Sequence, residues 1–228
     1  MLTKKKKLTK KEIKQDKLVE SYYKAYSFFQ NNRQRIAMFG GILVVIIFVA
    51  IFYINNKKQN NQTAGIELSR IMTLYNNGSY LEAINGRPGT PIIGLKKIVE
   101  EYGSTENGET AKIYLGNAYT YLGKTEEAYN SYQDYSGSLQ LYQASSYAGQ
   151  AAYFAEKKEF DKAADLYQKA AHVTETDVQN ADYLVKAAIN LMKSGDNKSA
   201  KEIFEKVQRD YKTSTAARDI QKYLVQLN

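Results

Sequence analysis

GKTEEAYNSY (123–132), KKEFDKAADLY (157–167) and GDNKSAKEIF (195–204) are one pattern written three times. Aligned on Ala128, Ala163 and Ala200, the copies lie 35 and 37 residues apart. Four residues after each alanine comes an aromatic: Tyr132, Tyr167, Phe204. Nine before it stands Tyr119, Phe154 or Leu191, and twelve before it a small residue, Gly116, Ala151 or Ala188. Five before it is a turn residue, Gly123, Lys158 or Gly195. These spacings describe two helices joined by a tight turn. The small residue midway along the first helix lets its partner approach closely, and the alanine of the second accepts the first helix's large side chain. The aromatic one turn later lies on the same face and fills the gap to the next pair.

A fourth unit precedes these. Ala83 has Gly78 five before it and Leu74 nine before it, but Arg87 stands where an aromatic is expected. NGRPGTPI (85–92) carries both prolines of the chain, Pro88 and Pro91, and proline interrupts helices. GLKKIVEEYGST (94–105) then resumes the helix, so the segment near 85–92 reads as an insert inside a second helix. STAARDIQKYLVQLN (214–228) gives a closing helix with Ser214 as N-cap and Ile220, Tyr223, Leu224 and Leu227 as its apolar face. A period near 34 with helix–turn–helix units resembles the tetratricopeptide repeats. The expected fold is all-α: an N-terminal transmembrane helix, then over residues 63–228 a tetratricopeptide-like α-solenoid of about four units with a C-terminal capping helix.

The transmembrane expectation comes from IAMFGGILVVIIFVAIFYI (36–54), nineteen residues without a charge. At ~1.5 Å per residue it matches the ~30 Å hydrocarbon core of a bilayer. A buried core helix and a cleaved signal peptide are the alternatives; the long basic region and the lack of an A-x-A pattern weigh against cleavage. Residues 1–35 hold eleven Lys/Arg against three acids, which accounts for the whole net charge of +8. The remainder is neutral, which removes the main support for nucleic-acid binding. The basic tail favours a cytoplasmic N-terminus and an exported C-terminal domain. Lys4–Lys7 should be disordered, and residues 8–35 form an amphipathic helix lying on the membrane or a partner, or merely leading into the span. YINNKKQNNQ (53–62) reads as a stop followed by a polar linker over 55–62. Ala37 and Gly41 give a small-x-x-x-small spacing, a weak pairing signal.

No catalytic, cofactor or metal site is expected. The chain has no cysteine and one histidine, so thiol chemistry and paired-histidine metal motifs are excluded. No nucleophile elbow, Walker loop or G-x-G-x-x-G run is present. His172 follows QKAA and reads as a helix-end cation or a surface residue. Twenty tyrosines form either repeat core, as for Tyr119, Tyr132 and Tyr167, or a binding surface, the two readings being even for Tyr121, Tyr129, Tyr142, Tyr147 and Tyr153.

The repeat resemblance implies a concave groove lined by first-helix residues. These are Leu68, Met72 and Tyr75; Ile113, Asn117 and Thr120; Ala148, Ala152 and Ala155; and Val185, Ile189 and Met192. Of the Lys, Asn and Arg that clamp a partner's C-terminal carboxylate in that family, only Asn117 matches. An apolar groove suits an amphipathic helix, an unfolded segment or the chain's own linker. The layout as a whole is similar to the YfgM-type family of single-span tetratricopeptide proteins, ancillary subunits of the SecYEG translocon in the bacterial inner membrane. That resemblance implies a non-enzymatic, periplasm-facing scaffold whose partners are translocon subunits, a membrane-anchored periplasmic chaperone or unfolded client chains, with the lipid bilayer and no nucleic acid. An assembly or adaptor factor for cell-envelope or surface-secretion machinery is the alternative.

Overall fold

The computed structural model describes residues 10–174 and 178–227. Among these the chain is all-α, with no β-strand and one isolated antiparallel bridge between Gly86 and Ile93. It divides into two compact units, residues 1–56 and 57–228. Helix α1 (Lys10–Asn76) crosses that boundary, and its two parts belong to different units. Residues 55–62, expected as a polar linker, are therefore helical. Asn61 is bound by Asn107, through the Asn107 amide N–H to Asn61 Oδ1 (2.8 Å) and its Nδ2 to the Asn61 carbonyl (2.9 Å). Such contacts override the indifferent helix propensity of an Asn/Gln-rich run.

In the first unit every residue from Ala37 to Ile54 is exposed. Among the described residues this is the sole helix long and apolar enough to cross a bilayer, a property shared by membrane spans and signal sequences. Tyr22, Tyr23, Tyr26 and Phe29 of the preceding helical tail are also exposed. Lys4–Lys7 lie outside the described residues.

The second unit continues with α2 (Tyr80–Asn85), α3 (Leu95–Tyr102), α4 (Glu106–Tyr121), α5 (Thr125–Gln133), α6 (Gln140–Glu156), α7 (Phe160–His172), α8 (Asn180–Ser194), α9 (Asn197–Asp210), α10 (Thr215–Asp219) and α11 (Gln221–Leu224). From α3 to α9 each helix packs on the next; α6 also meets α4, and α10 returns to α8 and α9. The turns within the pairs share one device. Gly78, Gly123, Lys158 and Gly195 all have positive φ, between 63° and 93°, and each stands five residues before a buried alanine: Ala83, Ala128, Ala163 or Ala200. A left-handed residue reverses the chain tightly enough to bring the next helix back onto the last. Lys158 is the one non-glycine among the described residues to adopt this conformation.

Between α2 and α3, residues 86–94 leave the helix. Arg87-Pro88-Gly89-Thr90 is a β-turn closed by Thr90 N–H to the Arg87 carbonyl (3.2 Å), with Gly89 at φ 77°. Proline at the second position and a left-handed glycine at the third suit a type II turn. Gly94 runs so close to Asn85 and Gly86 that an added methyl would overlap their backbone. At the C-terminus the single capping helix is instead broken. Ser214 does cap α10, its hydroxyl accepting from Ala217 N–H (3.1 Å), but the chain divides near Ile220 and ends in a 3-10 turn over Val225–Leu227. Ile220 and Leu224 are buried against the preceding helices, so side-chain anchoring, not helix continuity, sets this segment's course.

Two clusters form the core. One joins Ala64, Leu68, Ile71 and Leu74 to α2–α5, and the other spans α6–α11. Leu74, Tyr119, Tyr132, Ala151, Tyr167, Ala188, Leu191 and Phe204 are buried. Phe154 is not fully buried. Its ring meets Tyr129 and Tyr153 edge-on (5.6 and 5.4 Å), and Lys162 Nζ lies 5.2 Å from its centre. Ring-to-ring and cation–π attraction hold it in a surface cluster in place of the core slot.

Candidate functional site

The first-helix residues expected to line a groove divide into three groups. Leu68 and Ile113 are buried core, which corrects their assignment: a helix position one turn from the exposed stripe is swallowed when the neighbouring helix crosses over it. Met72, Tyr75, Ala148, Ala155, Val185, Ile189 and Met192 are half-buried. Thr120 and Ala152 are exposed.

Asn117, also half-buried, is engaged from inside. The Tyr132 hydroxyl donates to its Oδ1 (2.7 Å) and lies 3.2 Å from Thr120 Oγ1, which donates to the Gly116 carbonyl (2.9 Å). The Tyr132 ring fits between α4 and α6 because both helices present glycine there. A methyl on Gly116 would come within 2.7 Å of the ring, and one on Gly149 would overlap it. The amide that could have gripped a partner's carboxylate therefore orients a core tyrosine.

Around Asn117 the rings form a connected row. Tyr121 stacks on Tyr80 (4.4 Å, 10°), and Tyr80 meets Tyr75 edge-on (5.5 Å, 77°). Tyr75 meets Tyr114 (5.2 Å, 79°), and Tyr114 meets Tyr142 (6.3 Å, 65°). Tyr80 and Tyr114 were not singled out from the sequence. The signal for Tyr114 was its place one turn before Asn117, whereas Tyr80 enters only because the turn at Gly78 folds α2 back beside α1. Burial pushes the Tyr75 phenol up to about 12, against a lowering hydrogen bond from Asn117 and aided by the neighbouring Tyr121, Tyr80 and Tyr132. Burial likewise pushes Tyr142 up to about 12, with Tyr114 adding to the effect. These phenols stay protonated at neutral pH and serve as apolar bodies with a hydrogen-bonding tip. Tyr121, at the end of the row, is 64% exposed.

Elsewhere, Tyr129 stacks on Tyr153 (4.3 Å, 25°), and the Tyr153 hydroxyl donates to Glu126 (3.0 Å). Tyr147 packs at the edge of the second core. His172 is exposed in the last turn of α7, its Nδ1 2.6 Å from the Gln168 carbonyl, which is a helix-end role. Compared with known proteins, the chain matches no family model and no curated protein.

Proposed function

We propose that this protein is a membrane-anchored, non-enzymatic scaffold: a tetratricopeptide-like solenoid that docks protein segments against its first-helix face, on the periplasmic side of a bacterial inner membrane beside the Sec translocon. The row of five tyrosine rings, Tyr121–Tyr80–Tyr75–Tyr114–Tyr142, carries this reading. Prefixed rings offer large contact area with little side-chain entropy left to lose, and aromatic anchors dominate protein interfaces. The half-buried Met72, Val185, Ile189 and Met192 supply adaptable apolar surface of the kind that accepts amphipathic or unfolded segments. The solenoid reading is supported by the left-handed turn before each buried repeat alanine and by sequential helix packing. The anchor reading is supported by the exposed apolar residues from Ala37 to Ile54.

Photo-crosslinking residues placed at Thr120, Tyr121 and Met192 of the full-length protein in cells provide the test. Adducts with translocon subunits, a membrane-anchored chaperone or nascent exported chains are expected there and not from Glu205. Equal crosslinking at Glu205, or capture of none of these partners, rejects the assignment. Because the chain has no cysteine, a single Lys212→Cys reports sidedness: a membrane-impermeant maleimide should label it in intact spheroplasts.

A further inference from the structure

A cleft of about 500 Å³ lies in the second unit, between the part of α1 that begins at Lys57, the N-terminus of α4 and the loop after α5. Its walls include Lys57, Lys58, Glu106, Glu109, Ser136 and Ser138. The volume falls within the range of small-molecule sites. The walls are tied together. Asn107 binds Asn61 through two hydrogen bonds, and Gly65 permits that approach, since a methyl there would come within 2.9 Å of the Asn107 side chain. Glu109, though buried, accepts from the Ser136 amide (2.8 Å), the Ser136 hydroxyl (2.8 Å) and Lys112 Nζ (2.7 Å). Lys112 in turn donates to the Asp134 carbonyl (2.9 Å). The carboxylate thus pins the loop after α5 in place.

Chain connectivity limits how far the two lysines can lie from the apolar run. Lys57 is three residues beyond Ile54, the last apolar residue of the span, so at ~1.5 Å per residue it stands ~5 Å past it. That is within the headgroup layer, which adds roughly 5–7 Å to each face of the ~30 Å hydrocarbon core. The wall charges are mixed: two ammonium groups from Lys57 and Lys58, and the carboxylate of Glu106 beside the saturated Glu109.

We propose that this cleft seats the zwitterionic headgroup of a phosphatidylethanolamine, with Lys57 and Lys58 on its phosphate and Glu106 on its ammonium. The proposal rests on the anchor reading, but it holds for either orientation of the span. A bilayer lipid is favoured over a free phosphoethanolamine because the span holds the lysines at the headgroup layer.

Native mass spectrometry of the full-length protein in mild detergent tests this, with titration by phosphatidylethanolamine or phosphatidylglycerol of matched acyl chains. One retained phosphatidylethanolamine per protein is expected, displacing phosphatidylglycerol. Lys57→Gln with Lys58→Gln should weaken its retention by about tenfold or more. Glu106→Gln should abolish the preference between the two lipids. Equal retention of both lipids by the wild type, a preference for phosphatidylglycerol, or insensitivity to either substitution overturns the proposal and leaves two lysines snorkelling at an interface. Displacement of the lipid by soluble glycerophosphoethanolamine at equal concentration also overturns it, in favour of a free ligand. Carbonate extraction of membranes is the separate control. Release of the protein there refutes the anchor itself, whereas retention with no lipid preference refutes only the cleft.

Discussion

The two core clusters of the second unit are built from the same repeat and packed by different means. In the cluster over α6–α11, ten of eighteen buried residues are alanine; in the one over the end of α1 and α2–α5, five of fifteen are. The later cluster brings helices together mainly over small side chains, with Phe204 fully buried and stacked on Tyr223 (5.3 Å, 2°). The earlier cluster fills wider gaps with Ile71, Leu95, Ile98 and Ile113, and it admits the Tyr132 ring only where glycines make room. Alanine packing concentrates the cost of damage in a few positions. Large-residue packing spreads it and leaves tyrosines at the margin, where they can meet a partner.

Several substitutions would break this contrast. Phe204→Ala should destabilise most, by about 3–5 kcal/mol in denaturant unfolding, since it removes a fully buried ring and leaves a cavity in the core. A cost below about 1 kcal/mol would show that the later cluster relaxes as readily as the earlier one. Gly149→Ala should cost about 1–3 kcal/mol by driving a methyl into the Tyr132 ring. Shortening that ring with Tyr132→Leu in the same chain should recover part of the loss, and simple additivity would remove the close-approach argument. Lys158→Gly should stabilise by about 0.5–1 kcal/mol, because a left-handed turn residue that needs no Cβ replaces one that carries it.

Alkaline titration probes the same difference. Tyr75 and Tyr142 in the earlier region and Tyr167 in the later one have phenols raised to about 12, burial being the first cause in each. A raised folded-state value favours the protonated form, so the contribution is complete below pH ~10 and is lost as pH rises toward ~12. Absorbance-monitored titration should show these phenols ionising together with loss of helix. Their ionisation near pH 10 with the helix intact would contradict their burial.

Much of the fold was legible because the repeat writes contacts at fixed spacings. An alanine four residues before an aromatic and five after a turn residue defines a helix start, a face and a reversal. The three alanines of that pattern are buried, as is Ala83, which lacks the aromatic, and the turn residues before all four are left-handed. The long apolar helix over 36–54 was legible because nineteen consecutive residues carry no charge and no proline. The site was less legible. Periodicity gives the angle of Leu68, Ile113 and Asn117 around their helices, but it does not say whether the next helix crosses over that angle. It also cannot foresee that Tyr80 of one helix stacks on Tyr121 of another, or that Ser136 closes on Glu109 across 27 residues.

By itself the sequence determined an all-helical chain, an apolar helix of bilayer length and the positions where helices pair, since these depend on local spacing and on the cost of exposing apolar faces. Only the tertiary structure decided which first-helix residues remain outside, where the polar run 55–62 becomes helical, and how tyrosines and a buried glutamate from separate repeats meet. Those outcomes depend on crossing geometry and on competition among neighbours for the same space, neither of which a single stretch of chain contains.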